Sequence, residues 1–287
     1  MGTIPDPAGE SGRRADSAHP DNARDADRAG PVVVVDGCTV TYGDTTAVNR
    51  VTVEFARGQL TAIIGPNGSG KSTLLHAIAG LVVPTAGSVR VLGSPAGDRP
   101  ADIALVMQAN IASSRVPLTV RETVRMGRYA RTGAFRRLTR ADRQAVDEAM
   151  ARMRVDDLAG RQLHELSGGQ RQRVFVAQGL AQHADVLLLD EPITGLDLVT
   201  QEVIAQVIAE ERDRGGTVVV TTHDVGTARD ADQVVLLATR VVLAGDPDDV
   251  LTPVMLESAY GGHIHVLDDG TAVLDDPHHH GTPDQLP

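Results

Sequence analysis

An apolar run, Leu60-Thr61-Ala62-Ile63-Ile64, leads directly into Gly65-Pro66-Asn67-Gly68-Ser69-Gly70-Lys71-Ser72, and Thr73-Leu74-Leu75-His76-Ala77-Ile78-Ala79 follows with helical spacing. A short buried strand, a glycine-rich turn and a helix in immediate succession match the context that a phosphate-binding loop requires. Gly65, Gly68 and Gly70 permit positive backbone dihedrals, so successive N–H groups can turn inward at a helix N-terminus. Such a loop holds the phosphates of a nucleotide, with Asn67, Ser69 and Thr73 completing its lining. Lys71 is the single lysine among twenty-seven basic residues; it would reach the β and γ phosphates, and the Ser72 hydroxyl would ligate Mg²⁺.

The rest of the chain has to supply a core around that loop. Aromatic residues make up 2% of the sequence, so the core must be aliphatic. The length fits one domain of about 230 residues with tails. Cys38 is the sole cysteine, which excludes an intrachain disulfide and fits a reducing compartment with the thiol as a small buried hydrophobe. There is no apolar signal-type segment at the N-terminus and no apolar run near the roughly 20 residues of a spanning helix. A formal charge of −11 argues against a duplex-binding surface. Arginines are locally dense only between Arg115 and Arg143.

Residues 1–30 are rich in Asp, Arg, Ala, Gly and Pro without periodicity, and a flexible tail is expected there. Val-rich runs then recur at Val32–Val35, Val51–Phe55, Leu60–Ile64, Ile103–Met107, Val186–Leu189, Val218–Thr221 and Val234–Leu237. The later runs alternate with helical patterns, which points to a parallel α/β sheet. Between Gln108 and Leu166 the pattern is helical only. Thr119 to Glu122 fits a capping box, and Thr139 caps a helix whose Ala145, Val146, Ala149, Met150 and Met153 recur at three and four residues. This block, at about 109–165, is expected to form a separate lobe.

Leu166-Ser167-Gly168-Gly169-Gln170 opens a helix with Ser167 at the N-cap and Gln170 in capping-box position. Its glycines leave the N-terminus bare, so N–H groups can face an anion directly. Val186-Leu187-Leu188-Leu189-Asp190-Glu191 is an apolar strand ending in two acids, where ligands of parallel sheets bind. Asp190 would hold Mg²⁺ through water, and Glu191 would act as general base on the attacking water.

The loop, the LSGGQ helix, the acid pair and the later His223, in this order, resemble the ATP-binding subunits of ABC transporters over roughly residues 32–250. The resemblance implies a P-loop NTPase fold: an α/β nucleotide-binding domain at 31–250 with a RecA-like mixed sheet, an N-terminal antiparallel β subdomain and an inserted helical lobe. It makes Tyr42 the aromatic that stacks on adenine, with a core strand residue as the other reading. It gives Gln108 a role at Mg²⁺ and the attacking water, Asp197 a role at a dimer interface, and His223 a contact to the γ-phosphate. It further implies ATP with Mg²⁺ as ligands, ATP hydrolysis, a head-to-tail dimer with a second copy, and no nucleic-acid partner. Permease subunits would dock on the helical lobe at the cytoplasmic face of the membrane, with an extracytoplasmic solute-binding protein in the same system. The stretches 116–129, 158–161, 177–180 and 228–251 look most like importers of metal ions, with zinc first, manganese second and iron chelates third. A soluble ABC ATPase of repair or translation lacks its expected coiled-coil insertion or second cassette here, and a P-loop kinase leaves the LSGGQ helix unexplained.

Residues 251–287 form an acidic, histidine-containing tail. From 241 onward there are nine acids, five of the ten histidines and no Lys or Arg. Asp269-Gly270 is a hairpin signal that would fold Thr271–Leu274 back on Ile264–Leu267. His263, His265 and His278 to His280 are either solvated tail residues or ligands through which the tail senses zinc.

Overall fold

The computed structural model describes residues 30–107, 117–133 and 136–261, and the backbone of two short strands at 264–266 and 272–274. A four-stranded antiparallel sheet is formed by β1 (Val33–Tyr42), β2 (Thr45–Phe55), β4 (Ala86–Val91) and β5 (Ser94–Pro95), in the order β2-β1-β4-β5. A six-stranded sheet contains β3 (Leu60–Ile64), β6 (Ile103–Val106), β7 (Val186–Asp190), β8 (Thr217–Thr222), β9 (Gln233–Ala238) and β10 (Arg240–Gly245), in the order β10-β9-β3-β8-β7-β6. Five of its strands run parallel and β10 returns antiparallel at the edge. The sheet is therefore mixed.

Residue alternation explains why this sheet is buried on both faces. Ala62, Val106, Leu189, Val220 and Leu236 point into one apolar cluster, and Ile63, Ile103, Leu188, Val219 and Leu237 into the other. The second cluster contains the antiparallel sheet and the helix α1 (Lys71–Ile78). The first extends into the helical block, made of α2 (Val120–Met126), α3 (Tyr129–Thr132) and α4 (Arg140–Arg152), and onto α5 (Gly168–Ala181) and α6 (Leu198–Asp213). Val124, Met150 and Met153 of the block thus share a core with Leu189 of the sheet. The C-terminal part adds α7 (Val225–Arg229), α8 (Pro247–Val250), α9 (Pro253–Tyr260) and a hairpin, with β11 (Ile264–Val266) antiparallel to β12 (Ala272–Leu274). Its strands lie within Ile264–Leu267 and Thr271–Leu274, the segments expected to pair.

The caps expected from sequence are present. Thr119, Thr139 and Ser167 each close a capping box on α2, α4 and α5. Ala145, Val146, Ala149, Met150 and Met153 are all buried. Strands β4, β5 and β10 were outside the apolar runs, because β4 alternates with exposed Gly, Ser and Arg and β10 is half-exposed throughout. The N-terminal segment lies outside the described residues.

Arg128 ties the block to α5. Arg128 donates to Asp142 and, through Nη1, to the Ala181 and Gln182 carbonyls at 2.8 and 3.2 Å, satisfying the end of α5. Hydrogen bonds from the Thr139 side chain and backbone, with Arg128 behind them, hold the Asp142 carboxyl down from 3.8 to about 2. A depressed carboxylate contributes its full stabilisation above the unfolded value and loses it as pH falls through the folded one. The stability difference between the native chain and Asp142→Asn, followed by denaturant unfolding, should therefore be largest above about pH 4 and shrink towards pH 2. A difference independent of pH would refute this account.

Candidate nucleotide site

The C-terminal ends of β3, β7 and β8 lie side by side in the sheet, so their following residues converge. The loop after β3 is held by close backbone approach. A Cβ at Gly65 would sit 2.0 Å from the Leu237 carbonyl oxygen, and one at Gly70, whose φ is +95°, 2.3 Å from that of Ala47. Only glycine fits either place. Lys71 is the first residue of α1 and is buried, with Nζ donating to the Gly65 and Pro66 carbonyls at 2.9 and 3.3 Å and lying 4.0 Å from Glu191 Oε1. Burial lowers its pKa, and the Glu191 and Asp190 charges oppose that shift. The Ser69 Oγ is buried without a hydrogen-bond partner.

Beside the loop, Asp190 Oδ1 accepts from Ser72 Oγ at 3.0 Å and from Thr221 Oγ1 at 2.6 Å. The Thr221 oxygen in turn accepts from the Glu191 N–H at 2.9 Å. Thr221 therefore locks both acids of β7 to β8. Glu191 itself sits at φ +46°, a left-handed conformation costly for a residue with a Cβ. The hydrogen bond from its N–H and its ion pair with Lys71 hold it there. Thr221 was not singled out from sequence; the available signal was a polar pair, Thr221-Thr222, closing an otherwise apolar strand beside the acid-bearing one.

The other candidate residues are placed as follows. Asn67 and Gly68 are exposed at the loop crest and Thr73 is half-buried on α1. Tyr42 ends β1 and is 51% exposed, so it is not a core aromatic. His223 is exposed just after β8, next to Asp224, which caps α7. Gln108 lies outside the described residues. Ser167 and Gly168 are exposed at the N-terminus of α5, with the Ser167 Oγ accepting from the Gln170 N–H at 3.2 Å. Gly169 is packed against the start of α6, where a Cβ would meet Thr200 Oγ1 at 2.7 Å and Asp197 Oδ2 at 2.9 Å. Asp197 caps α6, accepting from the Thr200 N–H and hydroxyl, both at 2.9 Å, and these bonds lower its pKa. The structure thus brings together two groups. One comprises Gly65, Lys71, Ser72, Asp190 and Glu191; the other comprises Ser167 to Gln170 with Asp197. Among the described residues no hydrogen bond or ion pair joins them.

A strand-end acid pair facing a glycine-rich loop with a buried lysine, together with a bare LSGGQ helix, defines an ATP-binding cassette. The ABC transporter family model matches residues 48–194. The manganese transport system ATP-binding protein MntB of Halalkalibacterium halodurans is 38% identical over 82% of this chain and 94% of its own length. The zinc transport system ATP-binding protein TroB of Treponema pallidum is likewise 38% identical, over 81% of this chain and 88% of its own. Among solved structures, the dimeric post-hydrolysis state of the cassette MJ0796, bound to ADP and Pi, superposes with a TM-score of 0.66 and 28% identity, covering 75% of this chain and 98% of that one. The chain belongs to the ABC transporter family and is one of its ATPase subunits.

The Thr221 junction is open to a direct test. Thr221→Val keeps the shape but strands the Glu191 N–H and removes a donor from Asp190, which should cost about 1–3 kcal/mol in unfolding free energy. ATP turnover should fall more steeply than nucleotide affinity, because the loop and Lys71 are untouched. Unchanged turnover would show that the junction does not orient the acids.

Proposed function

We propose that this chain is the ATP-hydrolysing subunit of a divalent-metal importer, working as a head-to-tail dimer on the cytoplasmic face of the membrane. The separation of the site into two unconnected groups on one chain carries this reading. The loop half can bind and activate a nucleotide, while the exposed α5 N-terminus, with N–H groups and the Ser167 hydroxyl, has no phosphate of its own. A second copy supplies each half with its complement, and ATP is the joining ligand.

In each composite site the loop N–H groups, Ser69 Oγ and Lys71 Nζ grip the phosphates, with Lys71 exchanging the Gly65 and Pro66 carbonyls for phosphate oxygens. Tyr42 stacks on the adenine. Glu191 takes a proton from the attacking water, and Gln108 and His223 align that water and the γ-phosphate. Across the interface Ser167, Gly168, Gly169 and Gln170 offer the opposing donors, and Asp197 holds the α6 N-terminus against them. The Ser72 hydroxyl and Asp190 carboxylate are hard oxygen donors brought together by their hydrogen bond, a donor set that fits Mg²⁺; Ser72 would hold the ion directly and Asp190 through water. Bound there, Mg²⁺ would neutralise phosphate charge.

Docking to permease subunits is supported by a second feature. Exposed Met107 and Met126 and half-buried Phe175 line a groove of about 250 Å³ between the end of β6, α2 and α5. Polarizable Met side chains suit an inserted helix of a membrane subunit. No helix among the described residues is long and apolar enough to cross a membrane. In this reading the transport path belongs to the permease subunits, fed by an extracytoplasmic solute-binding protein. The cargo is zinc or manganese. The zinc and manganese relatives are equally identical to this chain, and relatives named for chelated-iron transport and hemin import are 38% and 41% identical, so identity supports import of a metal or metal chelate without ranking zinc first. The histidine positions of the tail, His263 and His278 to His280, lie outside the described residues and carry no part of this reading.

Glu191→Gln should abolish hydrolysis and accumulate an ATP-bound dimer on size-exclusion chromatography; only monomer with ATP would refute the composite site. Ser167→Arg and Lys71→Ala should each be inactive alone. Mixed together they should regain partial turnover, because one site of the heterodimer carries neither lesion. Reconstituted with its permease, the native chain should drive ATP-dependent uptake of zinc or manganese, and failure with both metals would remove the importer assignment.

A further inference from the structure

The helical block carries a second groove whose chemistry the nucleotide cycle does not use. Arg121 and Arg125 of α2, Arg137 before α4 and Arg143 on α4 line a space of about 260 Å³ floored by Leu138 and Val146. The two apolar residues are buried and the four arginines are exposed. Arg121 pairs with Asp147. Arg143 Nη1 donates to the Leu138 carbonyl at 2.8 Å. Among the described residues Arg125, Arg137 and Arg143 form no ion pair. Glu122, the acid near Arg125, is committed to the capping box at Thr119.

The concentration of charge is out of proportion to the chain. Residues 115–143 hold nine arginines and two acids, a formal +7, within a total of −11, which leaves −18 for the remainder. Apart from the Arg121–Asp147 pair and the Glu122 charge near Arg125, these guanidinium groups converge without carboxylates and repel one another unless an anion enters between them. Their planar forks match phosphate oxygens two at a time. A surface so asymmetric also orients the molecule in the field of an anionic leaflet, basic block towards it and acidic bulk away.

We propose that this groove binds the phosphate of anionic phospholipid headgroups, giving the subunit its own contact with the bilayer beside the permease. The choice of a lipid rests on the importer reading in one respect: Arg125 and Met126 are consecutive on α2, so a permease seated on Met126 brings the arginine groove to the leaflet next to it. An attachment of this kind holds the subunit at the membrane through the open phase of the cycle.

The test is co-sedimentation of the full chain, with no permease present, with vesicles of phosphatidylcholine alone or mixed with phosphatidylglycerol. Binding is expected only to the mixed vesicles, weakening as salt is raised. The double variant Arg125→Ala, Arg137→Ala should bind them on the order of thirtyfold less, a little over fivefold for each charge removed near a surface, with ATP turnover and thermal unfolding unchanged. Equal sedimentation of native chain and variant, or equal binding to pure phosphatidylcholine, overturns the proposal. Displacement from the vesicles by millimolar inorganic phosphate would assign the groove to a free anion and overturn the lipid. Failed metal uptake with intact lipid binding would remove the importer and leave the groove.

Discussion

Burial of the parallel sheet on both faces governs where this protein can do chemistry. Residues along β3, β7 and β8 alternate between two apolar clusters and leave no room for an unpaired polar side chain within the strands. Polar groups are tolerated only where the strands end, and the parallel register brings three such ends to one rim. The phosphate loop, Asp190, Glu191 and Thr221 are all there. At that rim each buried polar atom must find a partner, and the Ser72–Asp190–Thr221–Glu191 chain of hydrogen bonds is how most of them do. The exception is Ser69 Oγ, buried and unpartnered beside the loop. His76 Nε2, Arg173 Nε and the Tyr260 hydroxyl are also buried without a partner, but the Ser69 oxygen sits where a phosphate oxygen would supply what it lacks.

Much of this was legible in the sequence, for identifiable reasons. The loop, the acid pair, the two capping boxes and the cap at Thr139 are local signals, in which residue type and spacing alone set the backbone. The helical face from Ala145 to Met153 was legible because its periodicity is strong. What escaped were features defined by distant partners. Strand β4 reads as Ala-Gly-Ser-Val-Arg-Val and is a strand because Val89 and Val91 find the second cluster and its backbone pairs with β1. Thr221 is an ordinary strand residue until β7 and β8 are set adjacent, and Asp142 is an ordinary N3 acid until Arg128 arrives from another helix. Periodicity likewise reports which face of a helix is apolar but not which surface it meets, and Val146, Ala149, Met150 and Met153 share their cluster with the sheet.

The loop is poised rather than relaxed. Lys71 is buried against two carbonyls of its own loop, with its pKa lowered by that burial. A desolvated ammonium gains more from a phosphate than a hydrated one does, since its water has already been removed. Glu191 is likewise held in a left-handed backbone conformation before any nucleotide arrives. Both costs are met by the surrounding fold, so they do not fall on the step of binding or hydrolysis, which is the meaning of preorganisation at such sites.

The α5 N-terminus is the counterpart of the loop and differs from it in one decisive way. Both are helix N-termini stripped of bulky side chains, and both concentrate positive partial charge. The loop encloses its ligand site with its own walls, whereas Ser167 and Gly168 are exposed and Gly169 is pinned to α6 by Asp197 and Thr200. A rigid, exposed donor array can contact an anion from one side only. It cannot hold a nucleotide alone, yet it adds strongly to one already gripped elsewhere, because the translational cost of binding has been met at the loop. In the head-to-tail dimer proposed above, two copies would satisfy both arrays at once. The nucleotide would then contribute to association in proportion to the phosphate contacts it bridges, and cleavage of the terminal phosphate would remove that contribution at the place where the two chains meet.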